Sequence, residues 1–105
     1  YNQLRRKIEE RGTRNFPEQG GRKLYGELTM NVTVDAAGRV VETEIVRPSK
    51  LPVLDRQAIA IVQAAAPFGA FTAKMRAKAD QLVVTSRFRF TREDGLETVP
   101  LGAAR

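Results

Sequence analysis

The amino-acid sequence predicts a two-layer α+β domain, a three-stranded antiparallel sheet with two helices on one face. Three observations carry that expectation. Residues 24–35 alternate strictly: Leu24, Gly26, Leu28, Met30, Val32 and Val34 on one side, Tyr25, Glu27, Thr29, Asn31, Thr33 and Asp35 on the other. That pattern describes a strand with one face on a core and one in water. Residues 53–66 instead place Leu54, Ala58, Ile61, Val62 and Ala65 at i, i+4, i+7, i+8 and i+11, one apolar stripe of an α-helix. A second alternating run follows at 82–90, where Leu82, Val84, Ser86, Phe88 and Phe90 interleave with Val83, Thr85, Arg87 and Arg89.

The elements follow in chain order. Tyr1, Leu4 and Ile8 sit at helical spacing, with Asn2 as a cap and Gly12 as a stop, giving an N-terminal helix at about 1–12. Its apolar stripe is narrow, and a helix this short must dock on the body to persist. Arg5, Arg6, Lys7, Arg11 and Arg14 read as a solvated charged face. Residues 13–23 read as a loop in which Pro17 biases Phe16 toward an extended segment lying against the body. After the long strand, Asp35-Ala36-Ala37-Gly38-Arg39 describes a hairpin loop with Gly38 left-handed, so 24–47 is a hairpin. Its second strand, 40–47, turns Val41, Thr43 and Ile45 inward against Glu42, Glu44 and Val46, and Pro48 ends it. Pro52 suits the first turn of the 53–66 helix, Asp55 favours its N-terminal dipole, and Pro67 stops it. Residues 67–81 form a crossover anchored by Phe68 and Phe71, with one or two helical turns within 74–80. Asp94-Gly95 then offers a turn into a short fourth strand at about 96–99, and 100–105 read as a frayed tail.

Strand three has two possible neighbours, and the polar face of strand one decides between them. A parallel place beside strand two would ask for a sheet covered on both faces. The antiparallel place beside strand one gives the order 2-1-3, with the 53–66 helix in a right-handed crossover and strands two and three as edges.

Composition narrows the function. The 105 residues suit a single domain, 1–105, and are 42% hydrophobic. No apolar run approaches the ~20 residues of a membrane span. The absence of an initiating Met and of a signal peptide suggests a piece of a longer chain. Cysteine and histidine are both absent, which removes thiolate nucleophiles, disulfides and the usual zinc, haem and iron–sulfur ligand sets. No metal or cofactor is expected. An enzyme would need a carboxylate pair, a Lys or an activated Ser. Asp35 and Asp55 are better explained by a turn and a helix start, and Gly20-Gly21-Arg22-Lys23 lacks phosphate-loop spacing and context. The protein is therefore not expected to be an enzyme. The net charge of +6 points to an anionic partner.

The order of landmarks adds a resemblance. An N-terminal helix precedes Phe16-Pro17, then the alternating strand ends in Asp35-Ala-Ala-Gly38-Arg-Val-Val. Next come Pro48-Ser49, Leu54-Asp55-Arg-Gln-Ala58, Ala66-Pro67-Phe68, and finally Arg87-Phe88-Arg89-Phe90-Thr91. In combination these resemble the C-terminal domain of TonB-family energy transducers over about 4–98. The resemblance implies a periplasmic domain of a protein anchored in the inner membrane of a Gram-negative bacterium. Such domains capture the TonB box of outer-membrane transporters as an added strand. They pass on proton-motive energy from the ExbB-ExbD motor, through regions absent from this chain, for uptake of siderophores, haem or cobalamin. The implied recognition strand is 82–90. The partner-binding residues expected from the resemblance and from an open strand edge are Val83, Val84, Thr85, Ser86 and Arg87, with Phe16 and Pro17 at one end. Thr13 stands where the family's receptor-contacting Gln would be, and Phe16 where it has Tyr. A weak dimer is a further expectation. The alternative is a basic RNA- or DNA-binding α+β module, which would need aromatic residues on the open sheet face. That face offers Glu27, Thr29, Asn31, Glu42 and Glu44, with Tyr25 as its aromatic, so no nucleic-acid partner is expected.

Overall fold

The structure, a computed structural model, describes residues 2–104. Tyr1, expected at the head of the first apolar stripe, and Arg105, expected in the tail, lie outside the described residues. Helix α1 (Asn2–Arg14) buries Leu4, Ile8 and Gly12. It starts with Asn2 already helical and runs through Gly12, which was expected to stop it. The reason is tertiary: a Cβ on Gly12 would overlap the Leu96 side chain. Close packing there offsets the roughly 1 kcal/mol that glycine costs a helix.

The expected loop at 13–23 contains a small hairpin, Glu18–Gln19 (β1) against Arg22–Lys23 (β2). Gly20 and Gly21 close it at φ +60° and +80°, the two positive angles that a two-residue primed turn demands. The long strand, β3 (Gly26–Asp35), starts at Gly26 rather than Leu24 and buries Leu28, Met30, Val32 and Val34 as expected. At its end Asp35 Oδ1 accepts from the backbone of Ala37 at 3.0 Å and of Arg39 at 2.9 Å. Its Oδ2 accepts from Arg39 Nε at 2.9 Å. The amide of Arg39 and the Arg39 guanidinium favour the charged form, so the Asp35 carboxyl lies below its ordinary pKa. Gly38 has φ +83°, the left-handed conformation expected of it. The crossover clasps this hairpin tip: Phe68 N donates to Gly38 O and Phe71 N to Ala36 O, both at 2.8 Å. Phe68 and Phe71 are buried anchors, as expected.

The second hairpin strand, β4 (Val40–Arg47), departs from simple alternation. Its register on β3 shifts between Thr33 and Val34 and again between Thr29 and Met30. Each bulge adds a residue on the β4 side, and the added residues are Val41 and Val46. Val41, expected on the apolar face, is therefore 51% exposed, while Thr43 and Ile45 turn inward.

Helix α2 (Pro52–Ala65) buries Leu54, Ala58, Ile61 and Val62. Pro52 lies in its first turn, and Asp55 Oδ1 accepts from Ser49 N at 3.0 Å. It ends before the cis Ala66–Pro67 bond. A single turn, α3 (Ala73–Arg76), follows, capped by Thr72 Oγ1 accepting from Met75 N at 3.2 Å.

Strand β5 (Gln81–Thr91) pairs antiparallel with β3 without a register break, and β6 (Gly95–Ala104) pairs with β5. The sheet is four-stranded in the order β4-β3-β5-β6. The expected order of the first three strands stands, with two corrections. The fourth strand is not a short piece at 96–99, and residues 100–104 are paired strand rather than frayed tail. A short turn at 92–94 brings β6 alongside at little loop-closure cost, and β5 supplies a regular ladder for it to follow. Leu4 and Ile8 of α1, the α2 stripe, Phe68, Phe88, Phe90 and Leu96 share one core with the β3 apolar face. Both long helices thus lie on the same side of the sheet.

Candidate functional site

The residues expected to offer a free edge lie on β5, and β5 is an interior strand. Val83, Val84, Thr85, Ser86 and Arg87 face Thr33, Val32, Asn31, Met30 and Thr29 on one side. On the other they face Ala104, Ala103, Gly102, Pro100 and Val99. The expected free edge of strand three is therefore covered by the chain's own tail.

Hydrogen bonding from α1 reveals which backbone groups face β6. Leu96 N donates to Thr13 Oγ1 at 3.2 Å, and Thr98 N donates to Glu9 Oε2 at 2.6 Å. These donors therefore point away from β5. In an antiparallel ladder such residues alternate with those that bond the neighbour. Opposite Leu96, Thr98 and Pro100 stand Phe90, Phe88 and Ser86, so these β5 residues turn their backbone groups toward β3. Val83, Thr85, Arg87 and Arg89 turn theirs toward β6. Of the expected docking residues, Val84 and Ser86 also point their side chains into the core, at 5% and 4% exposure. The outward-facing set reduces to Val83, Thr85 and Arg87.

Strand β6 has two unequal halves. Leu96 and Thr98 are buried at 2% exposure and bonded to α1. Beyond them lie Val99 at 38% and Leu101 at 50% exposure, with a register break at Leu101. Pro100 contributes no N–H, and Gly102 and Ala103 are exposed and small. The weakly held half is the one that covers 83–87. The outer rail of β6 is closed where α1 lies, since the donors of Leu96 and Thr98 are taken and Pro100 has none. The outer edge of β4 is broken by its two bulges, a common guard against edge pairing.

The face of the sheet away from the helices carries charge rather than stacking aromatics. Glu27 lies 4.0 Å from both Arg87 Nε and Arg89 Nε, and Arg89 lies 3.5 Å from Glu97. Thr85 Oγ1 bonds Asn31 Oδ1 at 2.5 Å, and Asn31 Nδ2 donates to Glu44 Oε1 at 3.2 Å. This is not the aromatic platform an RNA-binding sheet needs.

At the far end of β5 lies an open cleft of about 310 Å³ lined by Phe16, Lys23, Tyr25, Arg92 and the turn at 93–95. The Phe16 ring lies 5.6 Å from both Tyr25 and Phe90, edge-on to the latter. Lys23 Nζ sits 5.8 Å above the Phe16 ring and Arg92 5.7 Å above that of Tyr25. Phe16 thus keeps a partly open position near the end of β5. Pro17 is fully buried and offers a partner no surface.

Sequence reasoning missed Glu9, Gly12 and Thr98. Glu9 and Gly12 lie on one face of α1 (i, i+3), but nothing local says that β6 is what they meet. Pro100 is tolerated in β6 because it stands opposite Ser86, at a place away from the β5 bonds.

The family described as Gram-negative bacterial TonB protein C-terminal matches residues 15–91. The match starts just after α1 and ends with the last residue of β5, so α1 and β6 both fall outside it. No curated protein and no solved structure gives a match to the chain. The family match covers well over half of the sequence and takes in the hairpin, α2 and β5 in their observed order: this chain belongs to the Gram-negative bacterial TonB protein C-terminal family.

Proposed function

We propose that this domain works in the periplasm as the receptor-binding end of a TonB-like energy transducer. It captures the TonB box of an outer-membrane transporter as a strand on β5, in place of residues 99–104. The full-length protein would be anchored in the inner membrane and driven by the ExbB-ExbD motor. Opening of the transporter would then admit siderophores, haem or cobalamin. A role in binding and transmission, rather than catalysis, agrees with the family.

One observation carries this reading: the outward-facing backbone groups of Val83, Thr85 and Arg87 are covered by residues 99–104, a stretch with a register break, a proline and half-exposed apolar side chains. Each main-chain hydrogen bond lost when 99–104 peels away is worth about 0.5–1.5 kcal/mol net. Each released residue regains roughly 1–2 kcal/mol of backbone entropy. Val99 and Leu101 are already half-exposed, so little apolar burial is lost. The exchange is near balance, and a guest wins through side chains that bury more area than Val99 and Leu101 do, at about 25 cal/mol per Å². Binding in the micromolar class is the expected result.

Titration of a TonB-box peptide into isotope-labelled protein tests this. Amide shifts should concentrate at 83–87, with signals of 99–104 moving toward unstructured positions. Shifts confined to 40–47, with 83–87 silent, would overturn the assignment.

A further inference from the structure

We infer that α1 is a latch that holds the first half of β6 on β5 and so sets how much of the β5 edge a guest strand can reach. This rests on the strand-addition reading above. Glu9 Oε2 accepts from Thr98 N at 2.6 Å and Thr98 Oγ1 at 3.0 Å, and Arg5 Nε donates to the same oxygen at 3.2 Å. One turn further on, Thr13 Oγ1 accepts from Leu96 N at 3.2 Å. Between the two bonds, Leu96 packs on Gly12 so closely that a Cβ there would overlap it. Three hydrogen bonds and one side-chain contact thus fasten residues 96–98 to the helix. The fastening stops at Pro100, which has no N–H for α1 or a guest to use.

The consequence is a docking edge of two lengths. With α1 seated, only the 99–104 half of β6 peels, and a guest reaches 83–87. With α1 displaced, residues 95–98 follow, which extends the edge through 88–91 to the Phe16–Tyr25 cleft. Guest binding over the longer stretch and displacement of α1 favour each other, since linkage between two sites is reciprocal. Both halves of the latch lie outside the family match. The competing explanation is that Glu9 and Thr13 merely blunt the β6 edge against self-association.

Two substitutions in the full chain separate these ideas. Glu9→Gln removes the charge that three donors share. Gly12→Ala improves intrinsic helix propensity, so any loosening it causes comes from the clash with Leu96 and not from a weakened helix. Native-state hydrogen exchange is the direct readout. Glu97 and Arg89 amides should exchange about ten-fold faster in both variants, with Asn31 and Glu44 amides at wild-type rates. A TonB-box peptide should bind both variants several-fold more tightly than wild type, with shifts extending to 88–91. Unchanged β6 protection overturns the latch, and so does self-association without β6 loosening. Faster exchange throughout the sheet also overturns it, because β6 would then not open as a unit. Selective β6 loosening with no peptide binding by any of the three proteins would sink strand addition while leaving the latch standing.

Discussion

Gly38 combines two requirements that a side chain cannot meet together. Its φ of +83° suits glycine, and a Cβ would overlap the Gly69 carbonyl and approach the Gly69 nitrogen to 2.7 Å. Gly38→Val should therefore cost at least about 2 kcal/mol in urea denaturation, more than left-handed strain alone. A loss under about half a kcal/mol would mean that the turn and crossover are not clasped. Asp35, beside it, makes a pH prediction. Its carboxyl is held below the ordinary value by the Arg39 amide and guanidinium and the Ala37 amide. A depressed pKa in the folded state contributes stability above the unfolded-state value of about 3.9 and loses it as pH falls through the folded one. Wild type should exceed Asp35→Asn in stability near pH 6, and the gap should close toward pH 3. A gap unchanged over that range in denaturant titrations would refute the role of the charge. Both residues were legible in the sequence, because a hairpin loop writes its requirements into a few consecutive positions. Gly12 was not: its reason, Leu96, lies far along the chain.

At the scale of elements, α2 and β4 make opposite predictions for apolar residues of similar kind. Ile61 is 6% exposed on the buried stripe of α2, whereas Val41 is 51% exposed on a bulge of β4. Ile61→Ala should cost about 2–5 kcal/mol, the range for truncating a buried aliphatic side chain. Val41→Thr should stay within about 0.5 kcal/mol, as for an ordinary surface change. Equal losses in thermal or urea unfolding would show that the β4 register is misassigned. The α2 stripe was readable because helical periodicity is local and Pro52 and Pro67 bound it. The β4 bulges were not, since a bulge depends on how two strands meet, and strict alternation was the simpler reading of 40–47. The small β1–β2 hairpin was missed for a related reason. Gly20-Gly21 suits a turn, but the strands on either side are charged and too short to alternate, and Gln57 of α2 supplies the grip at 2.8 and 3.0 Å.

For the molecule as a whole, the sheet is a long ribbon within overall extents of 46 × 23 × 20 Å, and its function turns on which edge is open. Ending the chain at Val99 should leave the fold intact, because residues 100–103 are exposed and α1 fastens only 96–98. The shortened chain should melt a few degrees lower and bind a TonB-box peptide several-fold more tightly. Calorimetry showing weaker binding would mean that 100–104 form part of the site instead of covering it. The sequence by itself determined the α+β class, the hairpin, the α2 stripe, the inward face of β5 and the order of the first three strands. Each of these rests on a local period, or on the rule that a strand with one polar face sits in an antiparallel sheet. Only the tertiary structure decided the length of β6, the direction of each β5 backbone group, the burial of Pro17 and the contact of α1 with the tail. Residues 100–104 carry no periodic apolar signal. They are strand because β5 presents a ladder beside them, and a ladder is a property of two segments rather than of one.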